Sequence, residues 1–125
     1  TAFASDARLK KNIRDIDKER VNTFFENVRI RTFDWNADVI AEKNVPIIPL
    51  ADQDGAIAQE LQQVYPDAVV VNAAFNEIKT EENPNPAVHD YLTIRWEKLI
   101  PLLIAKVQDQ DEQIKRLTAM VEALK

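Results

Sequence analysis

The strongest constraint on the fold of this chain is an apolar seam in its last third. Its residues recur in alternating steps of three and four: Ile100, Leu103, Val107, Gln110, Ile114, Leu117, Val121 and Leu124. This spacing is typical of the a and d positions of a coiled coil, and it continues for about three and a half heptads. The seam predicts a long C-terminal helix over 97–124, with Pro101 in its first turn, where proline is tolerated.

The narrowness of the seam bears on what the helix packs against. A single amphipathic helix lying on its own domain is the simpler interpretation of a short seam, but it needs a wider apolar stripe. The flanking residues are polar: Gln108, Asp109, Glu112, Lys115 and Arg116. We therefore favour self-association, in which Lys106 and Asp111 can pair between parallel helices. Branched residues at a with Leu at d favour two strands, whereas Gln110 adds a polar layer that can change their number, so the pattern leaves the number open.

Composition excludes several classes of site. The 125 residues contain one Gly, no Cys and one His. A single glycine rules out Gly-rich phosphate loops, and the absence of cysteine rules out disulfides, thiolate catalysis and Cys-based zinc sites. One histidine rules out paired His ligands. We expect no cofactor and no metal.

Charge and hydropathy limit the partners. The net charge is -5, spread as about +3 over 1–31, -9 over 32–90 and +1 over 91–125. The basic excess of the first segment is small and interrupted by acids, so nucleic acid is not an expected partner. No apolar run approaches the roughly 20 residues that span a bilayer, so we expect no membrane partner.

The remaining patterns predict a mainly helical α+β fold with short strands and a projecting arm. Local signals predict one or two helical turns over 5–13, capped by Ser5 or Asp6, and a second helix over 17–27. Further along, we expect a strand within 28–35, a turn at 36–38, an edge strand or arm at 45–51, a turn at 52–55, a helix over 56–65, a strand at 68–71, a loop or arm at 72–90 and a strand within 91–96.

Three groups of residues are candidates for chemistry. His89, which a Ser–His triad would need, lies in a polar loop and is interpreted as solvated. Asp52 and Asp54 resemble part of a calcium loop, but Leu50 stands where another acid is required, so a turn is the better interpretation. Ser5 and Lys10 have a spacing that allows a Ser–Lys dyad.

The dyad requires a lysine that is neutral when it takes the hydroxyl proton. With Ser5 ahead of a helix and Lys10 in its second turn, the amine can lean back toward the hydroxyl. The helix N-terminus, with Arg8 and Lys11 nearby, disfavours a charged Lys10. From spacing alone, Ser5 as a cap and Lys10 as a solvated charge remains the simpler interpretation.

The block from Ser5 to Ile13 (SDARLKKNI) resembles the opening signature of the endosialidase-type intramolecular chaperones, the self-cleaving C-terminal domains of phage tailspikes, tail fibres and neck appendages. Each fixed position of the pattern Ser-Asp-x-Arg-Leu-Lys-x-Asn-Ile is met. Two further blocks, 55–69 and 91–106, resemble the family's central helix with its turn and its strand leading into the long helix. Trp96 departs from the pattern, since a tyrosine is expected there.

The resemblance implies a parallel homotrimer with a coiled coil and projecting arms. It implies a chaperone for an upstream β-rich stalk, followed by self-cleavage between Ala4 and Ser5, with Ser5 as nucleophile and Lys10 as general base. Residues 1–4 would end the stalk, and 5–125 would form the chaperone and autoprotease domain. The expected place is the host cytoplasm during phage assembly, with release from the mature virion after cleavage.

Two other functions fit parts of the sequence. A permanent trimerisation cap without chemistry would have the same fold. A dimeric coiled-coil adaptor would account for the seam, but it gives no reason for the block at 5–13.

Overall fold

The structure, a computed structural model, describes residues 2–42, 51–71, 80–82, 84 and 91–125. Its α-helices are α1 (Lys18–Asn27), α2 (Ala37–Glu42), α3 (Ala58–Val64) and α4 (Ile100–Ala123). Its strands are β1 (Arg31–Phe33), β2 (Gln53–Gly55), β3 (Val69–Val71) and β4 (Leu92–Ile94). Short 3₁₀ turns occur at Ala7–Leu9, Pro66–Ala68 and Trp96–Lys98. The predicted α+β class with a helical majority is therefore confirmed.

Helix α1 forms where the sequence predicts it. The side chain of Asp17 accepts a hydrogen bond from the Glu19 amide at 3.0 Å and so satisfies one free donor of the first turn. Val21 and Phe24, three residues apart, are buried on the inner face. The helix therefore begins and ends within one residue of the predicted range.

Two antiparallel strand pairs complete the scaffold. Strand β1 pairs with β2 in the register Arg31↔Gly55, Thr32↔Asp54 and Phe33↔Gln53. Strand β3 pairs with β4 in the register Val69↔Ile94, Val70↔Thr93 and Val71↔Leu92. The strands predicted within 28–35, at 68–71 and within 91–96 are present, although each has only three residues.

The turn predicted at 52–55 is wrong for most of its length, because Gln53–Gly55 is strand β2. Only Asp52 adopts a turn conformation, with φ of 56°. The Thr32 hydroxyl donates to Asp54 at 2.8 Å across the pair. The Phe33 ring lies over Gly55, where a Cβ would stand 3.1 Å from the ring. Gly55, a residue typical of turns, thus allows the Phe33 ring to approach the backbone.

The turn predicted at 36–38 is also wrong, because helix α2 begins there. The Asn36 carbonyl accepts a hydrogen bond from the Ile40 amide at 3.0 Å, and its side chain accepts one from the Val39 amide at 3.4 Å. Asparagine serves turns and helix N-termini by the same side-chain chemistry, so the local signal does not separate them.

The predicted arms fall mostly outside the described residues. The expected edge strand or arm at 45–51 is described only at Ala51, and the loop or arm at 72–90 only at 80–82 and 84. Both predictions remain open.

The core lies where α1, α3, the Pro66–Ala68 turn and the start of α4 meet. Its buried residues are Val21, Phe24, Leu61, Ala68, Leu99 and Leu102. Tyr65 and Phe25 pack edge-on against Phe24, with ring centroids 5.9 and 5.2 Å from it. This small cluster fixes one face of α4.

Helix α4 begins later than the predicted residue 97. Its first residue is Ile100, and Pro101 lies in the first turn, as expected. A proline ring clashes with the carbonyl four residues before it, so the α-helix cannot run back through Glu97. The preceding residues instead form the 3₁₀ turn Trp96–Lys98. Among the described helices, α4 included, none combines the length and the apolar character that a bilayer crossing requires.

Candidate active site and assembly surface

The segment around Ser5 and Lys10 is less helical than predicted. Helical turns over 5–13, with Lys10 in the second turn, are wrong: only Ala7–Leu9 is helical, as a single 3₁₀ turn, and Lys10 is extended (φ -118°, ψ 153°). No residue of this turn is buried. Without tertiary packing on an apolar face, a short segment does not sustain an α-helix, whatever its intrinsic propensity.

Asp6 begins the turn and Asn12 follows its end. The Asp6 side chain accepts a hydrogen bond from the Arg8 amide at 2.8 Å, so Asp6 is the cap and Ser5 is left free for other contacts. Asn12 has φ of 53°, in the left-handed region that asparagine tolerates better than most residues. These two positions of the signature therefore have conformational roles.

The structure brings the two predicted site residues together. The Lys10 Nζ donates a hydrogen bond to the Ser5 Oγ at 2.6 Å. Contact is made through one 3₁₀ turn followed by an extended residue, rather than through two turns of helix. For general-base chemistry the hydrogen bond must reverse, since a neutral amine accepts the hydroxyl proton.

Arg8 does not crowd Lys10 in the expected way, because it is paired with Asp6. Its Nε and Nη2 atoms donate to the two Asp6 carboxylate oxygens at 3.1 and 2.8 Å. The Arg8 side chain holds the pKa of the Asp6 carboxyl below its ordinary value, with a smaller contribution from the Arg8 amide. The same contact raises the pKa of Arg8. The positive charge of Arg8 is thus compensated locally, and sequence reasoning missed this pairing.

The surroundings of the pair are open in a single chain. Ser5 and Lys10 are both exposed to solvent. Three large apolar side chains of the same segment, Phe3, Leu9 and Ile13, are also between 71% and 74% exposed. Within the part of the chain that the structure describes, the amine therefore has no dry environment.

The apolar seam is a second uncovered surface. Ile100, Leu103, Val107, Ile114, Leu117 and Val121 are each 53% to 62% exposed. The residues of α4 that reach the core belong to another stripe, on which Leu102 is 1% exposed. The simpler interpretation, in which the seam packs on its own domain, is therefore wrong for the described residues.

Polar contacts attach α4 to α1. The Lys106 Nζ donates to the Asn22 side chain at 2.8 Å and lies 5.8 Å from the centroid of the Phe25 ring. The Lys18 Nζ lies 3.6 Å from Asp109 and 3.7 Å from Glu112. Lys106, a predicted partner for a neighbouring helix, is therefore engaged within its own chain.

The other candidates do not form a site in the described part of the chain. His89 lies outside the described residues. Asp54 accepts a hydrogen bond from Thr32, and the Asp52 amide donates to Asp34 at 2.8 Å, so both belong to the β1–β2 scaffold. The described residues contain no group of three or more His, Cys, Asp or Glu side chains that could hold a metal ion.

An ion pair that the sequence does not predict joins two elements of the scaffold. The Arg31 guanidinium donates to both carboxylate oxygens of Glu60, at 3.0 and 2.8 Å. This contact lowers the pKa of Glu60 and raises that of Arg31. It joins β1 to α3 across 29 positions of the chain, and no local pattern predicts a pairing at that separation.

A comparison with the sequence models of protein families gives a match. The sequence model of the family described as chaperone of endosialidase (peptidase S74) matches residues 5–70, which is more than half of the chain. The match begins at Ser5 and ends within β3, so it covers the candidate dyad and most of the core. No curated protein matches the chain.

Proposed function

Because this chain belongs to the chaperone of endosialidase family, peptidase S74, we propose that it is an intramolecular chaperone and single-turnover autoprotease. In this proposal it forms a parallel homotrimer, aligns an upstream β-rich stalk of a phage spike or fibre, and cuts itself off between Ala4 and Ser5. The observation that carries the proposal is the 2.6 Å contact between the Lys10 amine and the Ser5 hydroxyl, because Ser5 supplies the nitrogen of the bond to be broken.

The chemistry begins with Ser5 attacking the carbonyl that precedes it. The Oγ forms a bond to the Ala4 carbonyl carbon through a five-membered ring, and its proton passes to a neutral Lys10. The carbon–nitrogen bond then breaks, and the Ser5 nitrogen takes a proton from Lys10. Such an intramolecular attack has an effective molarity of order 10⁵ M or more when well oriented. The contact lies within one chain, which favours attack assisted by the chain's own lysine.

Water completes the reaction. The acyl shift leaves the Ala4 carbonyl esterified to the Ser5 hydroxyl. Hydrolysis of this ester yields the Ala4 carboxylate and restores the hydroxyl. The cut happens once per chain, so no pocket for an exchanging substrate is required.

Assembly is proposed to activate the base. Lysine is protonated in water and loses its proton when it is desolvated or crowded by positive charge. In one chain the dyad is exposed, and three large apolar side chains of the same segment, Phe3, Leu9 and Ile13, are uncovered. A neighbouring subunit that covers them removes water from Lys10. Chains that have not yet assembled would then remain uncut.

The exposed seam of α4 supports association through this helix. Two apolar residues at the edge of the seam, Ile104 and Met120, are also more than half exposed, although most flanking residues are polar. Burial of these side chains between helices would stabilise the assembly. The choice of three strands over two rests on the resemblance of the sequence to trimeric chaperones.

Trimerisation through local contacts explains how the domain would act as a chaperone. Long-range strand pairing is slow and exposes aggregation-prone edges, whereas helices associate through contacts that are local in sequence. A C-terminal trimer holds three stalk chains together before their strands pair, and arms from 45–51 or 72–90 would grip the stalk. We place this step in the host cytoplasm during phage assembly. Cleavage then releases the domain and makes unfolding of the stalk kinetically difficult.

The test is intact-mass spectrometry and sedimentation of the precursor with its native upstream sequence. We expect the native chain to yield a fragment that begins at Ser5, and Ser5→Ala and Lys10→Ala to remain uncut trimers. Lys11→Ala is the matched control, since it removes a neighbouring lysine without touching the 2.6 Å contact. Efficient self-cleavage of the Lys10→Ala variant would contradict the proposed Ser5–Lys10 dyad. A native precursor that stays whole as a trimer would favour the permanent cap.

A further inference from the structure

Gln110 is the one polar residue among the eight that form the seam. It is exposed, and the described residues give its carboxamide no hydrogen-bond partner. Gln113, three residues later, instead donates to Asp109 of its own chain at 2.8 Å. The donor and acceptor of Gln110 are therefore exposed on the surface that would be buried on assembly.

We propose that Gln110 sets the register of the three α4 helices, an inference that rests on the proposed homotrimer. In a parallel, aligned trimer the three carboxamides lie in one layer around the axis. Each has an N–H donor and an oxygen acceptor, so the three can donate to one another in a ring. Burial then leaves none of them unpaired.

A shifted register loses this ring. Sliding one helix by a heptad brings Gln110 level with Leu103 or Leu117 of its neighbours, and its carboxamide is buried among apolar groups. A buried polar group without a partner is strongly unfavourable. A single polar residue at a core position is a known means of fixing alignment in coiled coils, at some cost in stability.

The other residues of the seam cannot distinguish the aligned register from a shifted one. The a positions carry only Ile and Val, and the other d positions carry only Leu, so a one-heptad slip replaces each layer by a similar one. The flanking charges that often set alignment are engaged within the chain: Lys106 with Asn22 at 2.8 Å, and Asp111 with Lys115 at 3.0 Å. Gln110 is left as the feature that distinguishes one register from another.

The register matters for the proposed chaperone. A heptad slip displaces one chain by about 10 Å along the axis, from a rise of about 1.5 Å per residue. Three stalk chains that enter with such an offset would pair their strands out of alignment.

The experiment measures alignment directly in the 125-residue chain. The protein has no cysteine, so Ala119→Cys on the outer face of α4 carries a spin label, and pulsed electron resonance gives distances between copies. We expect one distance for the native seam. Gln110→Leu should add a longer distance, reflecting slips of about 10 Å, while raising the midpoint of thermal unfolding. Gln110→Asn, which keeps a carboxamide, should restore the single distance.

Gln108→Leu is the matched control, because it makes the same change outside the seam and should leave one distance. A Gln110→Leu trimer with one unchanged distance would overturn the role of Gln110 while leaving the proposed trimer intact. A native chain that sediments as a monomer or dimer would overturn the proposed assembly, and the register role with it.

Discussion

Lys10 reaches Ser5 because the chain between them makes one tight turn and then extends. Asp6 holds the start of that turn through the Arg8 amide, and its carboxylate also binds the Arg8 side chain at 2.8 Å. Asparagine at position 6 can still accept from the amide, whereas alanine cannot. The two contacts of Asp6 can therefore be separated by substitution.

We predict that Asp6→Ala slows self-cleavage several-fold, because the turn that presents Lys10 loses its cap. Asp6→Asn should retain most of the rate, since the cap survives when the ion pair is lost. The rate is followed by intact mass over time, with sedimentation as a check on assembly. Equal rates for the two variants would mean that the cap does not position Lys10.

At this scale the sequence led to two residues that the structure places in contact, but by a different backbone from the predicted one. The residue types and the resemblance singled out Ser5 and Lys10, and the structure places them in contact. The helix expected to join them is absent, because a favourable local propensity finds no surface to pack on. The pairing of Arg8 with Asp6 was missed because it depends on the geometry of a turn that was predicted as helix.

Among the elements, neighbouring leucines on α4 have opposite environments. Leu102 is 1% exposed and Leu103 is 53% exposed. We predict that Leu102→Ala lowers the free energy of unfolding by about 2–5 kcal/mol through loss of burial and a cavity. Leu103→Ala should instead weaken association. Urea denaturation at several protein concentrations separates the two, since only the second effect should vanish when the protein is diluted until native chain and variant are both dissociated.

One result of comparing the two leucine variants would contradict this prediction. If Leu103→Ala were as destabilising as Leu102→Ala at every concentration, the seam would be part of the core of one chain. The account of α4 as a helix with one packed face and one uncovered face would then be wrong.

The Arg31–Glu60 ion pair, which joins β1 to α3, predicts that the stability of the fold depends on pH. The Arg31 side chain lowers the pKa of Glu60, so the folded state binds the Glu60 proton less readily than the unfolded state. The stabilisation is present above the ordinary glutamate value of about 4.3 and is lost as the pH falls through the lowered folded-state value. Glu60→Gln should flatten this part of the acid-unfolding curve, measured by circular dichroism. An unchanged curve would show that the pair contributes nothing measurable.

The elements that the sequence predicted well are those with periodic apolar residues. Helices α1, α3 and α4 bury or present such a face, and their ranges were close to those expected. Strand β2 and the first residues of helix α2 were predicted as turns, because residues such as Asn36, Asp54 and Gly55 suit turns. Strand β2 depends on a tertiary partner, Phe33 against Gly55, which a local pattern does not contain.

For the molecule as a whole, the family assignment and the uncovered surfaces point the same way. The seam of α4 and the apolar residues around the dyad are exposed in one chain. A trimer that covers both would couple the assembly of the coiled coil to the chemistry at Ser5. The seam could be predicted from spacing, but the number of strands could not, since the a and d residues favour two strands and the polar layer at Gln110 can change that number.

The most direct measurement of this coupling follows oligomeric state and cleavage in the same sample of a seam variant. Leu117→Glu places three carboxylates at one buried layer, whereas Arg116→Glu, next to it and off the seam, serves as the control. We predict that sedimentation and intact mass will show Leu117→Glu as an uncut monomer and Arg116→Glu as a cut trimer. A Leu117→Glu monomer cleaved at the native rate would contradict the account.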